Sequence, residues 1–244
     1  MKKTILLLSL IVLTFVGFRF IKRHSKTYKI DKAKTEVKEL VDNDEIKNGD
    51  LIFQTSLSQQ SLAIQLATKS KYSHCGLIFK DQDKFYVFEA VQPVKRTPLD
   101  NWIARWHDAI YVIKRLKNAD EVLTPQTLQK LKVEGEKLSG KNYDLTFEWS
   151  DEKIYCSELI WKIYKRATGI EIGKLEKISD FDLTNPAVKK KMRERYGNKI
   201  PTDEIVISPA AIFDSPLLMT VKSNWHYYTS SQQRFCVMRA AWFI

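Results

Sequence analysis

Residues 72–91 read YSHCGLIFKDQDKFYVFEAV, and the fold turns on how the two halves of this stretch pair. GLIFK (76–80) and KFYVFEAV (84–91) are rich in the β-branched and aromatic residues that favour strands, and DQD between them supplies a turn. The stretch therefore predicts a hairpin. Ser73 to Phe79 reads as extended, and neighbours along a strand point to opposite faces. His74 and Cys75 thus cannot act as a catalytic pair with each other. Cys75 shares its face with Leu77 and Phe79 and reads as a small core residue. His74 looks across the hairpin. If Asp81-Gln82 is a two-residue turn, Glu89 lies directly opposite His74. If Asp81 to Lys84 form a four-residue loop, Glu89 lies opposite Gly76, diagonal to His74 on the same face. An odd loop without a bulge would put them on opposite faces. Glu89 is a carboxylate in apolar company and needs a partner. Beside an imidazole it would fix the tautomer and stabilise the imidazolium.

The second stretch that matters is IYCSELIWKIYKRATG (154–169), which reads as a helix ending at Gly169, with Leu159, Ile160, Ile163 and Tyr164 on its apolar face. Cys156 stands at its start, where unpaired backbone N–H groups and the positive end of the helix dipole favour thiolate. The same N–H groups can serve as an oxyanion hole for acyl transfer, and a nearby histidine would complete an ion pair. A lone cysteine at a helix start is more often structural, and a lone strand histidine more often packs or faces solvent. The conjunction of Cys156, His74 and Glu89 is stronger than its parts.

Around these segments the pattern is mixed. NGDLIFQ (48–54) reads as turn then strand, SLAIQLATKS (61–70) as helix, LDNWIARW (99–106) as a short amphipathic helix and AIYVIKRL (109–116) as a strand. TPQTLQKLKVEGEKLSG (124–140) is a marked helix, with Thr124 as cap, Pro125 in the first turn and Gly140 at the end. ISPAAIFDSPLL (207–218) reads as a buried segment with a Ser-Pro start. Without regular β-α-β alternation the order implies an α+β fold, an antiparallel sheet packed against helices. With 244 residues and 44% hydrophobic content the chain can bury one domain of ordinary size. That domain is expected over residues 49–218, preceded by a polar stalk or initial helix (22–48) and followed by a C-terminal extension (219–244).

Residues 1–21 carry a basic start and an apolar run from Ile5 to Phe18, the pattern of a signal peptide or an N-terminal membrane anchor. The run favours export, to the periplasm or the membrane surface facing the cell envelope, although Arg19, Lys22 and Arg23 behind it pull against that orientation. The net charge is +11, with one basic run, KKKMRER (189–195). No aromatic interleaving or motif supports nucleic-acid binding, so the charge suits an anionic surface instead. Of the three cysteines, Cys75, Cys156 and Cys236, no two have metal-ligand spacing, and neither a metal nor an organic cofactor is expected.

The segments YSHCGLI, FYVFEA, KNYDLTFEWSDEKIYCSELIWKIY and ISPAAIFDSPLL together resemble the YiiX/YebB-like branch of the NlpC superfamily of permuted papain-like cysteine hydrolases, from about Gly49 to Leu218. The resemblance implies a circularly permuted NlpC/p60-type domain in which the histidine strand precedes the cysteine helix. It implies Cys156 as nucleophile, His74 as base and Glu89 as the orienting acid. Cys75 departs from the aliphatic residue common at that position. Tyr155, Tyr143 and Asp144 are candidate substrate-binding residues, each with packing or capping as the bland alternative. Ser157 and Glu158 are assigned to the helix start. His24, His107 and His226 have no partner motif. The implied reaction is thiol-dependent cleavage of an amide or peptide bond, in cell-envelope peptides or small amino-acid amides. The alternatives are lipid acyl transfer or hydrolysis with the same Cys-His layout, and a domain that binds a ligand without catalysis. A long apolar cavity beside Cys156 would favour acyl chains, and a short cleft with charged walls would favour peptide termini.

Overall fold

The computed structural model describes residues 27–56, 58–105 and 110–224. The apolar leader, the tail from Trp225 onward, and His24, His107, His226 and Cys236 lie outside the described residues.

The described chain starts with a helix, α1 (27–42), followed by strand β1 (Leu51–Gln54) and helix α2 (Gln59–Thr68). Strands β2 (His74–Asp81), β3 (Lys84–Glu89) and β4 (Lys95–Pro98) form a meander that runs into helix α3 (Leu99–Ala104). Strand β5 (Val112–Leu116) leads through a short helical turn, α4 (Ala119–Val122), to helix α5 (Pro125–Leu138). Thr124 caps α5, accepting from the Thr127 amide, and Gly140 takes a positive φ of 80° just past its end. The short parallel pair β6 (Asn142–Tyr143) and β7 (Lys153–Ile154) brings the chain to helix α6 (Cys156–Thr168). A second small pair, β8 (Glu176–Lys177) and β9 (Ile205–Val206), brackets helix α7 (Pro186–Tyr196), the KKKMRER helix. Helix α8 (Pro209–Phe213), capped by Ser208, and strand β10 (Leu218–Ser223) complete the fold.

The main sheet has the order β10-β5-β1-β2-β3-β4, with every neighbouring pair antiparallel. Its strands alternate as the period of two demands. Leu51, Phe53, Cys75, Leu77 and Phe79 join the core on one face, with Leu159, Ile160 and Ile163 of α6 and Leu131 of α5. Ile52, Ile78, Val87 and Ile113 face the other way, against Leu40 of α1 and Leu99, Trp102 and Ile103 of α3.

Two open sequence expectations are decided here and one changes. Of a stalk or an initial helix, the segment forms the helix. Ala33 and Leu40, seven residues apart, are each 1% exposed in the second core, and Glu36 accepts a hydrogen bond from the Tyr111 hydroxyl at 2.6 Å. The sheet does not end at Leu218. β10 runs on to Ser223 along β5, with a bulge between Thr220 and Lys222 that blurs the strand pattern of LMTVKS. And of the two hairpin registers, the pairing Asp81↔Lys84, Phe79↔Tyr86, Leu77↔Phe88 selects the one with Glu89 opposite Gly76.

Gly76 is what allows that register. A Cβ there would sit 2.2 Å from Val87 Cγ1 and 3.0 Å from the Phe88 carbonyl oxygen. Any side chain at 76 would push β3 away from β2, and with it Glu89 away from His74.

Candidate active site

His74 is the first residue of β2 and Glu89 the last of β3, so the hairpin ends in the pair that its register sets up. His74 Nε2 lies 2.8 Å from Glu89 Oε2. Glu89 is fully buried and its remaining capacity is filled: Thr97 Oγ1 donates to Oε1 at 2.6 Å, and the Arg105 guanidinium donates to both oxygens at 2.9 and 2.5 Å. Burial alone would raise the Glu89 carboxyl; hydrogen bonds from His74 and Arg105 outweigh it and hold the group at about 2. The His74 ring lies roughly parallel to that of Trp102, centroids 6.0 Å apart, which fixes its plane.

With Nε2 on Glu89, Nδ1 is the nitrogen left for Cys156. Cys156 begins α6, is 3% exposed, and its thiol hydrogen-bonds the His74 ring. Burial by itself lowers the His74 pKa; the bonds to Cys156 and Glu89 more than reverse this and push it up to about 9. The Cys156 thiol moves the opposite way, well below its ordinary value. An imidazolium held between a carboxylate and a thiolate is the state these shifts favour.

Cys156 is held low by Cys75 first, through its side chain and its backbone. Burial opposes this and His74 reinforces it. Cys75 is in the core as expected, fully buried on the face of Leu77 and Phe79. It is more than a filler, because that face is the one α6 packs against. Its own thiol is pushed up, by burial first and then by the Cys156 charge, so it remains a protonated donor. Strand alternation correctly separates His74 from Cys75. It gave no sign that both act on Cys156. The clue in sequence was the neighbour relation itself, since α6 covers the Cys75 face.

The remaining site candidates divide. Tyr155 and Tyr143 line the cavity beside Cys156. The Tyr155 hydroxyl accepts from the Ile207 amide at 3.1 Å, and Gln60 Nε2 donates to the Tyr143 hydroxyl at 2.9 Å. Asp144 is not part of that wall. It is 1% exposed and serves as a turn cap, accepting from the amides of Thr146 and Glu148 at 2.8 and 2.5 Å. A short buried carboxylate followed by Leu-Thr-Phe-Glu caps its own turn, and this consumes the oxygens a ligand would need. Glu158 serves the helix start, accepting from the Tyr155 amide at 3.4 Å and pairing with Lys162 at 2.7 Å. Ser157 differs: its hydroxyl donates to the Ile207 carbonyl at 2.7 Å, tying α6 to the segment before α8. Arg105 and Thr97, missed in the sequence, lie on elements whose approach to Glu89 only the folded meander creates.

A histidine strand that precedes the cysteine helix in the chain, with three helices between them, defines a permuted papain-like domain. Residues 45–222 match the family described as "Permuted papain-like amidase enzyme, YaeF/YiiX, C92 family", and the chain belongs to it. Among its relatives is an uncharacterized protein, YiiX of Escherichia coli K12, 46% identical over 183 residues that span 75% of this chain and 89% of that one. A crystal structure titled as metalloprotein yiiX from Escherichia coli O157:H7 matches with a TM-score of 0.71 at 48% identity, covering 74% of this chain and 99% of that one.

Proposed function

We propose that this chain is a thiol hydrolase that cleaves an amide bond through Cys156, His74 and Glu89. The observation that supports it is one imidazole held between a fully buried, cation-paired carboxylate and a cysteine at the start of a helix. The Cys156 thiolate attacks the carbonyl carbon. Tyr155, the residue ahead of α6, is not one of the short polar residues that commonly cap a helix start. The first-turn N–H groups would receive the oxyanion. His74 gives its proton to the leaving nitrogen, and water, deprotonated by His74, then clears the thioester. Glu89 keeps Nε2 protonated and Nδ1 aimed at sulfur throughout.

The solved relative carries the word metalloprotein in its title. In this chain, among the described residues, no group of three or more His, Cys, Asp or Glu side chains is arranged to hold a metal ion.

The test is the pH dependence of alkylation at Cys156, read by peptide mass spectrometry. Wild type is expected to react at pH 6 nearly as fast as at pH 8. His74→Ala is expected to return the midpoint to about pH 8.5, where ordinary thiols titrate. A wild-type midpoint already at that value, indifferent to His74, would remove the hydrolase reading and leave ligand binding.

A further inference from the structure

Helix α7 has two unlike sides. Val188, 2% exposed, and Met192 turn inward and line the cavity beside Cys156. Pro186, Lys189, Lys190, Arg193 and Glu194 fall at helical spacing along the other side, and each is exposed. Within PAVKKKMRERY the cations are Lys189, Lys190, Lys191, Arg193 and Arg195, and the only acid is Glu194. That acid is engaged by Lys191 at 2.5 Å. Lys189, Lys190 and Arg193 form no ion pair with a carboxylate among the described residues. Like charges three and four residues apart destabilise a helix, a cost that an anionic partner removes. The C-terminal end of the same helix holds a loop with an exposed apolar residue. The Tyr196 hydroxyl donates to the Thr146 carbonyl, and the Arg195 guanidinium lies 4.7 Å from the centre of the Phe147 ring. Buried Asp144 caps this loop through the amides of Thr146 and Glu148. Leu145 therefore stands on a fixed backbone, and it is 55% exposed. Glu148, the exposed acid of the loop, accepts from the Thr146 hydroxyl at 3.0 Å.

We infer that the outward stripe of α7, with Leu145 at its end, docks this domain on an anionic bilayer. Headgroup phosphates lie against Lys189, Lys190 and Arg193, and the leucine side chain enters the interface. A line of unpaired cations that ends in a fixed apolar residue is the pattern of a surface that lies on a membrane. The chain also carries, at 5–18, an apolar run of the kind that enters a bilayer, and this selects a lipid surface over an acidic protein. The inference concerns where the domain sits and holds whatever bond Cys156 attacks.

The probes are vesicles of phosphatidylcholine alone and of an equal mixture with phosphatidylglycerol. The full chain is mixed with each, its lysines are acetylated from the aqueous side, and each position is read by peptide mass spectrometry. Lys189 and Lys190 are expected to be protected by the phosphatidylglycerol vesicles and not by phosphatidylcholine, and the protection is expected to fade as salt is added. Lys84 in the β2–β3 turn and Lys130 on α5, both exposed, are expected to label equally throughout. Lys189→Gln with Lys190→Gln is expected to cut the preference for the anionic vesicles, read by co-sedimentation, about fivefold per charge removed. Leu145→Ser is expected to weaken sedimentation with both vesicles and leave the preference intact. Each variant is expected to keep the wild-type alkylation profile of Cys156, which shows that it folds. Equal labelling of Lys189 and Lys190 with both vesicles overturns the inference. So does protection shared evenly with Lys84 and Lys130, which is adsorption by net charge. Protection by soluble polyglutamate as strong as that by the anionic vesicles also overturns it and assigns the stripe to an acidic protein.

Discussion

At the residue scale the site depends on what surrounds one sulfur atom. The helix start that made Cys156 conspicuous in the sequence is real, but the thiol is held low by Cys75 of β2 as well as by His74. A thiol donor is replaceable by a hydroxyl but not by a methyl. Cys75→Ala is expected to move the alkylation midpoint of Cys156 upward by about one unit, or about 1.4 kcal/mol of lost thiolate stabilisation. Cys75→Ser is expected to keep it low. Equal profiles for both variants would show that the space, not the donor, matters at 75. Gly76 makes a complementary prediction. A methyl there meets Val87 Cγ1 at 2.2 Å, and such overpacking costs about 1–3 kcal/mol. Gly76→Ala should lower the denaturant midpoint by that amount, and Gly76→Ala with Val87→Ala should recover most of it. No recovery would place the clash on the backbone of β3.

At the element scale, Glu89 is the point where β2, β3, β4 and α3 meet, through His74, Thr97 and the Arg105 that follows α3. Its folded pKa of about 2 lies below its ordinary 4.5. A depressed carboxyl contributes stability that is complete above pH 4.5 and is lost as pH falls toward 2, on the order of 3 kcal/mol for such a shift. Glu89→Gln leaves the Arg105 and His74 charges without their buried partner, and a loss of about 3–5 kcal/mol at pH 7 is expected in urea. Between pH 4.5 and 2 the variant's stability should change less than that of wild type; parallel curves would show that the carboxylate is not the titrating group. This junction was half legible. The alternation around Glu89 and the even loop placed it beside His74. Arg105 sits just after a short amphipathic helix and reads there as a surface cation. Thr97 belongs to KRTP, a strand with no apolar run, recognisable only through its pairing with β3. The same holds for the two-residue pairs β6–β7 and β8–β9, too short to leave a periodic signal, yet Tyr143 of β6 and Val206 of β9 line the cavity beside Cys156. Long elements, α5 with its Thr124 cap and α6 with its apolar face and terminal Gly169, were readable because local chemistry defines them.

At the scale of the whole molecule the sheet separates two cores with different tasks. One, with α5 and α6, holds Cys75 and Cys156. The other, with α1 and α3, supports the sheet from behind and backs the His74 ring with Trp102. α1 lies upstream of residues 45–222, which match the family, yet it closes this second core. Its composition, rich in Lys, Asp and Glu, left a stalk and an initial helix both open, because only Ala33, Val37 and Leu40 mark the buried stripe, a narrow one among so many charges. A stalk and a core helix make opposite predictions for two neighbouring apolar residues. Leu40 is 1% exposed and Val41 is 42% exposed. Leu40→Ala should cost about 2–4 kcal/mol, as deletion of buried methyls does, and Val41→Ala less than about 0.5 kcal/mol. Both would be read from urea unfolding monitored by tryptophan fluorescence, since Trp102 is in that core. The alkylation profile of Cys156 should stay where it is in both variants, because its charge is set on the opposite face of the sheet. If the two substitutions cost the same, α1 does not pack, and the fold must be stable on β1 to β10 alone. If Leu40→Ala also shifts the thiol, then the stack of His74 on Trp102 transmits strain through the sheet, and the second core belongs to the active site as much as the first.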